Sequence, residues 1–455
     1  MVSSSETAAP RWSSHMAFVL TAAGAAVGLG NLWRFPFMAA ENGGGAFVIV
    51  YLAAVALVGF PVMLAELMIG RRGRGNAEQA VAAVAREVSA PRFWRVIGGL
   101  SIFIPFVGIG YYSVIAGWVV DYMVGFIASG GFGFTEPAAY EQRFNDMLAS
   151  PLRLFLLHLL FMAGLVFVVA REIRDGIERV AKVMMPGLFL ILLGLVAFGM
   201  VEGDFREGVD FLFAPDFSQL TGRSVLLALG QAFFSLAIGI GAMMTFGAYM
   251  QEGDSVPRAA AQICIADTSV ALLAGLAIFP LVFAFGLETA GGEGLVFVAL
   301  PTAFGQMTGG YIVGSAFFVL LFFAAFTTGV ATLEPVVSWL IGRGMARKRA
   351  ALLAGAAAWL LGAVAALSFN VWDDVHPLGF LAGWEGRTIF DILDFSIASL
   401  LLPVNGLLIA VFAGWAMPKA MALAGRPLPG EIAAIWRLLL IGIVPAAILA
   451  ILVLG

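Results

Sequence analysis

The stretch Gly24–Pro36, GAAVGLGNLWRFP, decides how this chain is read. It lies near the middle of the first long apolar run, residues 16–40. A membrane-spanning helix needs about 20 consecutive, mostly apolar residues. Here the run is interrupted by Gly24, Gly28 and Gly30, then by Asn31 and Arg34. A glycine inside a helix costs roughly 0.5–1 kcal/mol relative to alanine. Non-helical backbone at membrane depth persists only where protein buries it or where it lines a cavity. An ionisable side chain at that depth, Arg34, is a functional candidate in its own right. The stretch therefore predicts a helix broken over residues 25–30, with freed carbonyls facing a cation and freed amides facing an anion. The competing reading is a close-packed face of small residues.

Composition fixes the class. Of 455 residues, 61 % are hydrophobic and 12 % charged, against about 25 % charged in an average soluble chain. The expectation is one all-α integral membrane unit, in which the number of spans overrides the domain count that length alone would suggest. The net charge of −4 decides little. Cys264 is the single cysteine, so neither an intrachain disulfide nor a thiolate metal cluster can form. His15, His158 and His376 show no metal-ligand spacing. The polar start, MVSSSETAAPRW, reads as a cytoplasmic tail over residues 1–15 and not as a cleaved signal.

Eleven apolar segments follow, near 16–40, 44–70, 96–127, 152–170, 180–200, 224–250, 260–287, 311–341, 350–368, 388–415 and 432–454. They group as a first block over 16–200, a second over 224–415 and a final helix. Placing the N-terminus in the cytoplasm puts Arg71, Arg72, Arg74, Arg86, Arg92, Arg95, Arg171, Arg174, Arg179, Lys182, Arg258, Arg343, Arg347, Lys348, Arg349, Lys419 and Arg426 inside. Only Arg143, Arg153, Arg206, Arg223 and Arg387 then fall outside or at outer edges. Basic residues favour cytoplasmic loops, so the N-terminus is expected inside and the C-terminus outside. RRGRG at 71–75 and RGMARKR at 343–349 read as ordinary flanks of that kind, with neither a lipid-binding nor a nucleic-acid-binding role expected. Between spans, residues 130–150 predict a short surface helix. Residues 294–305, apolar but too short to cross, predict a re-entrant or capping hairpin over an outer vestibule.

Segment six, GQAFFSLAIGIGAMMTFGAY over Gly230–Tyr249, is interrupted like segment one, by Gly239, Gly241 and Gly247, with Ser235 beside the break. Segments one and six each begin a block of five. Interrupted helices at matched positions of two halves point to a transport site at the membrane midplane. Asp267, Thr327, Thr328, Glu66, Asp391 and Asp394 are further polar residues within or opening the spans. A buried carboxylate needs a partner or a cation, and hydroxyls are hard oxygen ligands. The threonines could instead bond back to their own helix. Asp391 could be a helix N-terminal charge, and Glu66 is preferred as a structural carboxylate supporting the broken helices.

GAAVGLGNLWRFP followed by ENGGGAF at 41–47, Tyr111–Tyr112, GQAFFSL at 230–236, FTTGVATLEP at 326–335 and FDILDF at 390–395 together resemble the neurotransmitter:sodium symporters over the whole chain. The resemblance implies about 11 transmembrane helices arranged as two inverted five-helix repeats, segments 1–5 and 6–10, with helices 1 and 6 broken. It implies two sodium ions. One would lie among the Ala26 carbonyl, the Asn31 amide, Ser235 and Asp267, and would touch the substrate carboxylate. The other would lie among the carbonyls of Gly24, Val27 and Ala324 and the hydroxyls of Thr327 and Thr328. The substrate carboxylate would meet Leu29, Gly30 and Tyr112, and its amine the carbonyls of Ala26, Phe234 and Ser235. Gly108, Phe234, Ala237, Ile240, Thr328 and Thr332 would line the side-chain pocket. Arg34 with Asp394 would form the outer gate under an aromatic lid of Phe234 and Tyr112. Trp12 and Tyr249 would belong to the inner gate.

Departures from the family pattern sharpen these expectations. Gly108 and Ala237 replace larger or hydroxyl-bearing residues, which favours a large hydrophobic or aromatic amino acid as substrate. Gly342 stands where an acid usually faces the tail arginine, so Arg11 either has another partner or closes a weaker inner gate. Tyr51 and Gln231 match a chloride site found in some members, but Asp267 replaces its asparagine and Ala271 its serine. Asp267 would then supply the negative charge, without a chloride requirement. The expected function is sodium-coupled symport of a small-molecule amino acid by alternating access in the cell (inner) membrane. A sodium-dependent amino-acid sensor and an ion channel are the alternatives. No nucleophile–base pair or metal cluster in the spans suggests an enzyme. The sequence leaves the oligomeric state open.

Overall fold

Apolar length and glycine placement dictate the architecture. The structure, a computed structural model, describes residues 11–286, 292–417 and 430–454. Among these, nine unbroken helices are long and apolar enough to cross a membrane. They are segments two (Gly45–Gly73), three (Arg92–Ser129), four (Pro151–Val169), five (Arg174–Glu202), seven (Val256–Ala284), eight (Gly310–Ile341), nine (Arg347–Leu367), ten (Ile389–Ala416) and eleven (Gly430–Leu454). Segment one is a bent pair, His15–Ala26 and Gly30–Glu41, whose axes differ by 56°. Segment six is Gly222–Ser235 followed by Ala242–Ala248, and neither half is long enough to count alone. The two segments expected to be broken are thus the two that fail the test of an unbroken span.

Segment eight packs along segment three, and segments four and nine join them. Segment one lies against segments seven and eight, and segment two against the second half of segment six. The first break meets segment eight at Thr328, and the second meets segment three at Ser101 and segment ten at Leu402. Arg71 and Arg74 bond to backbone carbonyls of residues 248–254 beyond segment six, and Arg174 bonds to the Arg11 carbonyl. The arginines expected inside thus gather at one end. Arg143 and Arg153 pair with Asp121 elsewhere, at 2.8 and 2.7 Å. Lys419, Arg426 and tail residues 1–10 lie outside the described residues.

The short helix expected after segment three is present as Pro137–Leu148. The expectation of a hairpin at 294–305 is corrected: Leu295–Gln306 is one continuous short helix. Its wide first turn, Leu295–Ala299, runs directly into Leu300–Gln306 without reversing, and Pro301 lies inside the helix just after that wide turn. It is a buried plug. Phe297 meets Tyr122, Trp118 and Trp33 edge-on at 5.1, 5.9 and 6.1 Å.

Candidate functional site

The first break is built by close approach. Val27 turns the chain extended at φ −69, ψ 94, and the helix resumes at Gly30 with a wide, π-helical turn over Gly30–Arg34. Such turns concentrate at functional sites. A Cβ at Gly28 would lie 2.8 Å from the Thr328 hydroxyl, and one at Gly30 2.8 Å from the Phe234 ring. The glycines therefore admit segments eight and six to the broken backbone. Thr328 Oγ1 donates toward the carbonyls of Gly24 and Val27, 3.3 Å from each. Thr327 Oγ1 instead stays on its own helix, 2.9 Å from the Phe323 carbonyl and 3.2 Å from that of Ala324. Thr332 likewise bonds back to the Thr328 carbonyl, at 2.8 Å. The structure brings Gly24, Val27, Ala324, Thr327 and Thr328 together, with the two threonines playing different parts.

A second polar centre lies beside the first and is fully buried. Asn31 Nδ2 donates to Asp267 Oδ1 at 2.7 Å, to the Asp267 carbonyl at 3.1 Å and to Ser235 Oγ at 3.0 Å. Ser235 Oγ donates to Asp267 Oδ2 at 2.6 Å, and Tyr51 OH reaches the same pair. Asn31 Oδ1 accepts from the Gly28 amide, and Gln231 Nε2 donates to the Gly30 carbonyl at 3.0 Å. Residues more than 200 positions apart thus form one oxygen-rich cluster around a lone carboxylate.

The second break is held differently. Ala237, Gly239 and Gly241 all have positive φ, at 52°, 85° and 82°. The Gly239 amide donates to Glu66 Oε1 at 2.6 Å, and its carbonyl accepts from Asn405 Nδ2 at 2.7 Å. Glu66 is therefore placed as the support that the sequence suggested. Asp391 caps its helix start through Thr388, the ordinary role for such a charge.

Between the breaks lies a cavity of about 290 Å³. It is lined by Ala26, Leu29, Gly30, Asn31, Gly108, Tyr112, Phe234, Ser235, Ala237, Ile240, Thr328 and Thr332, with Arg34 and Asp394. Tyr111, Phe390, Ile397 and Glu293 also line it, and the sequence had not assigned them to the pocket. Among the described residues the buried Tyr112 hydroxyl makes no hydrogen bond of good geometry, and it faces the Leu29 amide and the Thr328 hydroxyl. At Gly108 the nearest atom to an added Cβ is Ile397 Cγ2 at 3.8 Å, so that wall is open.

The residues expected to form the outer gate surround the cavity without touching in their expected pairs among the described residues. Arg34 and Asp394 share the cavity, but no ion pair within 4.0 Å joins them among the described residues. Arg34 instead lies over the Phe234 ring at 4.4 Å. Phe234 and Tyr112 both face the cavity without ring-to-ring contact, so the lid is not shut.

At the inner end, Trp12 is tied down as expected. Its Nε1 donates to the Phe246 carbonyl at 3.1 Å and its amide to the Tyr249 carbonyl at 3.2 Å. Arg11 does have a partner, Glu252 at 3.5 Å, but both side chains are mostly exposed. A side chain at 342 would require Asn76 to move, since a Cβ there would lie 2.3 Å from Asn76 Nδ2. The tail is held instead by Glu178, whose carboxylate accepts from the Ser13 amide at 2.9 Å, from the Ser13 hydroxyl and from Lys182. Tyr249 OH donates to Glu334 Oε1 at 3.1 Å, and Glu334 pairs with Arg347 at 2.6 Å. Sequence reasoning passed over Ser13, Glu178 and Glu334 and left Arg347 as a flank. The available signal was an acid within an otherwise apolar run, in TLEP at 332–335.

This arrangement has relatives. The model of the sodium:neurotransmitter symporter family matches residues 9–130 and 145–369. The chain is 39 % identical over 423 residues to the uncharacterized sodium-dependent transporter YhdH of Bacillus subtilis (strain 168), covering 92 % of this chain and 91 % of that protein. It is 26 % identical over 379 residues to the sodium- and chloride-dependent GABA transporter 2 of Mus musculus, covering 72 % and 61 %. The crystal structure of MhsT in complex with L-phenylalanine superposes with a TM-score of 0.87 at 38 % identity, covering 97 % of this chain and 98 % of that one.

Proposed function

The chain belongs to the sodium:neurotransmitter symporter family, and from that premise we propose that it imports a large hydrophobic or aromatic amino acid with sodium, by alternating access. One observation carries the substrate class: the buried Tyr112 hydroxyl, without a hydrogen bond of good geometry among the described residues, in the cavity between the two breaks. A buried hydroxyl left without a hydrogen bond costs about 1–3 kcal/mol, which a bound carboxylate offsets. The amides of Leu29 and Gly30 begin the outer half of segment one, where a helix start favours negative charge. The carbonyls of Ala26, Phe234 and Ser235 suit the amine. The open wall at Gly108 leaves space for an aromatic side chain, in keeping with the phenylalanine bound by the similar protein MhsT.

Sodium is cargo here, and two ions fit the oxygen donors. The Ala26 carbonyl, Asn31, Ser235 and Asp267 would serve one, next to the substrate carboxylate. The carbonyls of Gly24, Val27 and Ala324 with Thr327 and Thr328 would serve the other. Asp267 makes a chloride ion unnecessary. A carboxylate about 5 Å from sodium is worth on the order of 3 kcal/mol at an effective dielectric of about 20, before desolvation is subtracted. The protein would sit in the cell membrane with its N-terminus inside.

The test is uptake of labelled phenylalanine into proteoliposomes under an inward sodium gradient. Accumulation should vanish when choline replaces sodium and persist when gluconate replaces chloride. An Asp267→Asn, Ala271→Ser double variant should acquire a chloride requirement. Binding without accumulation would support the sensor reading, and chloride stimulation of the parent would remove the role given to Asp267.

A further inference from the structure

We infer that a second cavity, between the short helix Ala77–Glu87 and the inner ends of segments three and eight, binds the phosphate of an anionic phospholipid. The cavity measures about 600 Å³ and is lined by Arg86, Arg92, Arg95 and Arg343, with Glu78 as the one acid among its lining residues. Glu78 is already shared. It pairs with Arg95 at 2.9 Å and Arg343 at 3.7 Å, and accepts from Trp339 Nε1 at 3.1 Å. Arg86 Nε donates to the Ala82 carbonyl of its own helix at 3.3 Å. Arg92 has no hydrogen bond or ion pair from its side chain among the described residues. Four guanidinium groups against one carboxylate leave the cavity strongly positive. A phosphate suits them because arginine binds it in a bidentate manner.

The surroundings choose a lipid as the source. Phe93 and Trp415 are each 64 % exposed, and Trp94 packs on Phe412 at 5.3 Å. Such aromatic residues mark the level of the lipid headgroups. Basic pockets between spanning helices at that level bind anionic headgroups. Below Arg92, positions 96, 99 and 103 follow at helical spacing on one exposed face: Val96, Gly99 and Phe103. Nothing lies within 4 Å of a Cβ added at Gly99, which leaves a notch between Val96 and Phe103. The phosphate would sit among the arginines and one acyl chain would run along this notch. Only the choice of the cytoplasmic leaflet rests on the orientation proposed above.

The experiment is native mass spectrometry of the full-length protein, delipidated in detergent and titrated with phosphatidylglycerol or phosphatidylcholine. One phosphatidylglycerol should be retained in preference to phosphatidylcholine. The Arg86→Gln, Arg92→Gln variant should lose about 25-fold in that retention, at about a factor of five per arginine near an anionic headgroup. Lys348→Gln, Arg349→Gln, which removes flank charges that do not line the cavity, should keep it. Gly99→Leu should weaken lipid retention by filling the notch. Equal retention of the two lipids, equal loss in the flank variant, or no effect of Gly99→Leu would overturn the assignment. Complete displacement of the lipid by inorganic phosphate alone would also overturn it, in favour of a soluble anion.

Discussion

The inner and outer ends of the same helices are built differently, the inner one tied together by buried charges and the outer one not. At the inner end, Trp12, Ser13, Tyr249, Glu178, Glu334 and Arg347 form a hydrogen-bonded net whose carboxylates are buried. At the outer end, Arg34 rests on Phe234 and Asp394 stays out of ion-pair range. Parting the inner net leaves charges buried without partners, whereas closing the outer end asks only that side chains swing. In a two-state cycle a ligand shifts the balance only by binding one state better than the other. On the alternating-access reading proposed above, the inner net sets the threshold that bound sodium and substrate overcome.

The largest effect should come from the net's buried ion pair. Arg347→Ala strands Glu334, and breaking a buried pair costs about 3–5 kcal/mol. The expected outcome is a clear fall in melting temperature, recovered in large part by Glu334→Gln in the same chain. An unchanged melting temperature would mean that the two ends are held to the same standard.

Next comes the pair of threonines. Thr328→Val removes a hydroxyl that spans from segment eight to segment one, and should raise the sodium concentration for half-maximal uptake by about tenfold, the equivalent of roughly one hydrogen bond. Thr327→Val should do less, because that hydroxyl is already held by its own helix. Equal shifts would erase the distinction. Ser13→Ala should cost about 1.5–3 kcal/mol, as a hydrogen bond to a charged group does, seen as faster inward opening by cysteine accessibility along segment one. Arg34→Ala should slow uptake while leaving the melting temperature nearly unchanged, since its ring contact is worth about 0.5–2 kcal/mol. Smallest of all, Arg11→Ala should alter neither measurement much, because exposed ion pairs contribute about 0–1 kcal/mol. A large effect of Arg11→Ala would restore the tail arginine as the principal inner lock.

What could be read in advance follows from the range of each signal. Span limits are set by local hydropathy, and ten of the expected segments are recovered as single helices or as the bent pair. The breaks were legible because Gly28, Gly30, Gly239 and Gly241 sit where an apolar helix has no use for them. The partners of Glu178 were not, since Ser13 lies 165 positions away and nothing local announces the contact. Gly342 was visible as a missing acid, but its surroundings were not: Asn76, the cap of the short helix Ala77–Glu87, stands against that position. The state of a gate leaves no trace in composition, so the separation of Arg34 from Asp394 could only be seen in three dimensions.

Ala237 carries one more consequence. It holds a left-handed backbone conformation at φ 52°, which an L-residue with a Cβ adopts at a cost of roughly 1–2 kcal/mol. Gly239 and Gly241, two and four positions on, bear no such penalty, and Gly239 is pinned at its amide by Glu66 and at its carbonyl by Asn405. The pocket wall thus carries one strained residue, Ala237, ahead of a turn that segments two and ten hold from behind. The selectivity of this wall then resides in the backbone held at Ala237 as well as in side-chain volume. Ala237→Gly should broaden the range of accepted amino acids, both by relieving the positive φ and by removing a methyl group that lines the cavity.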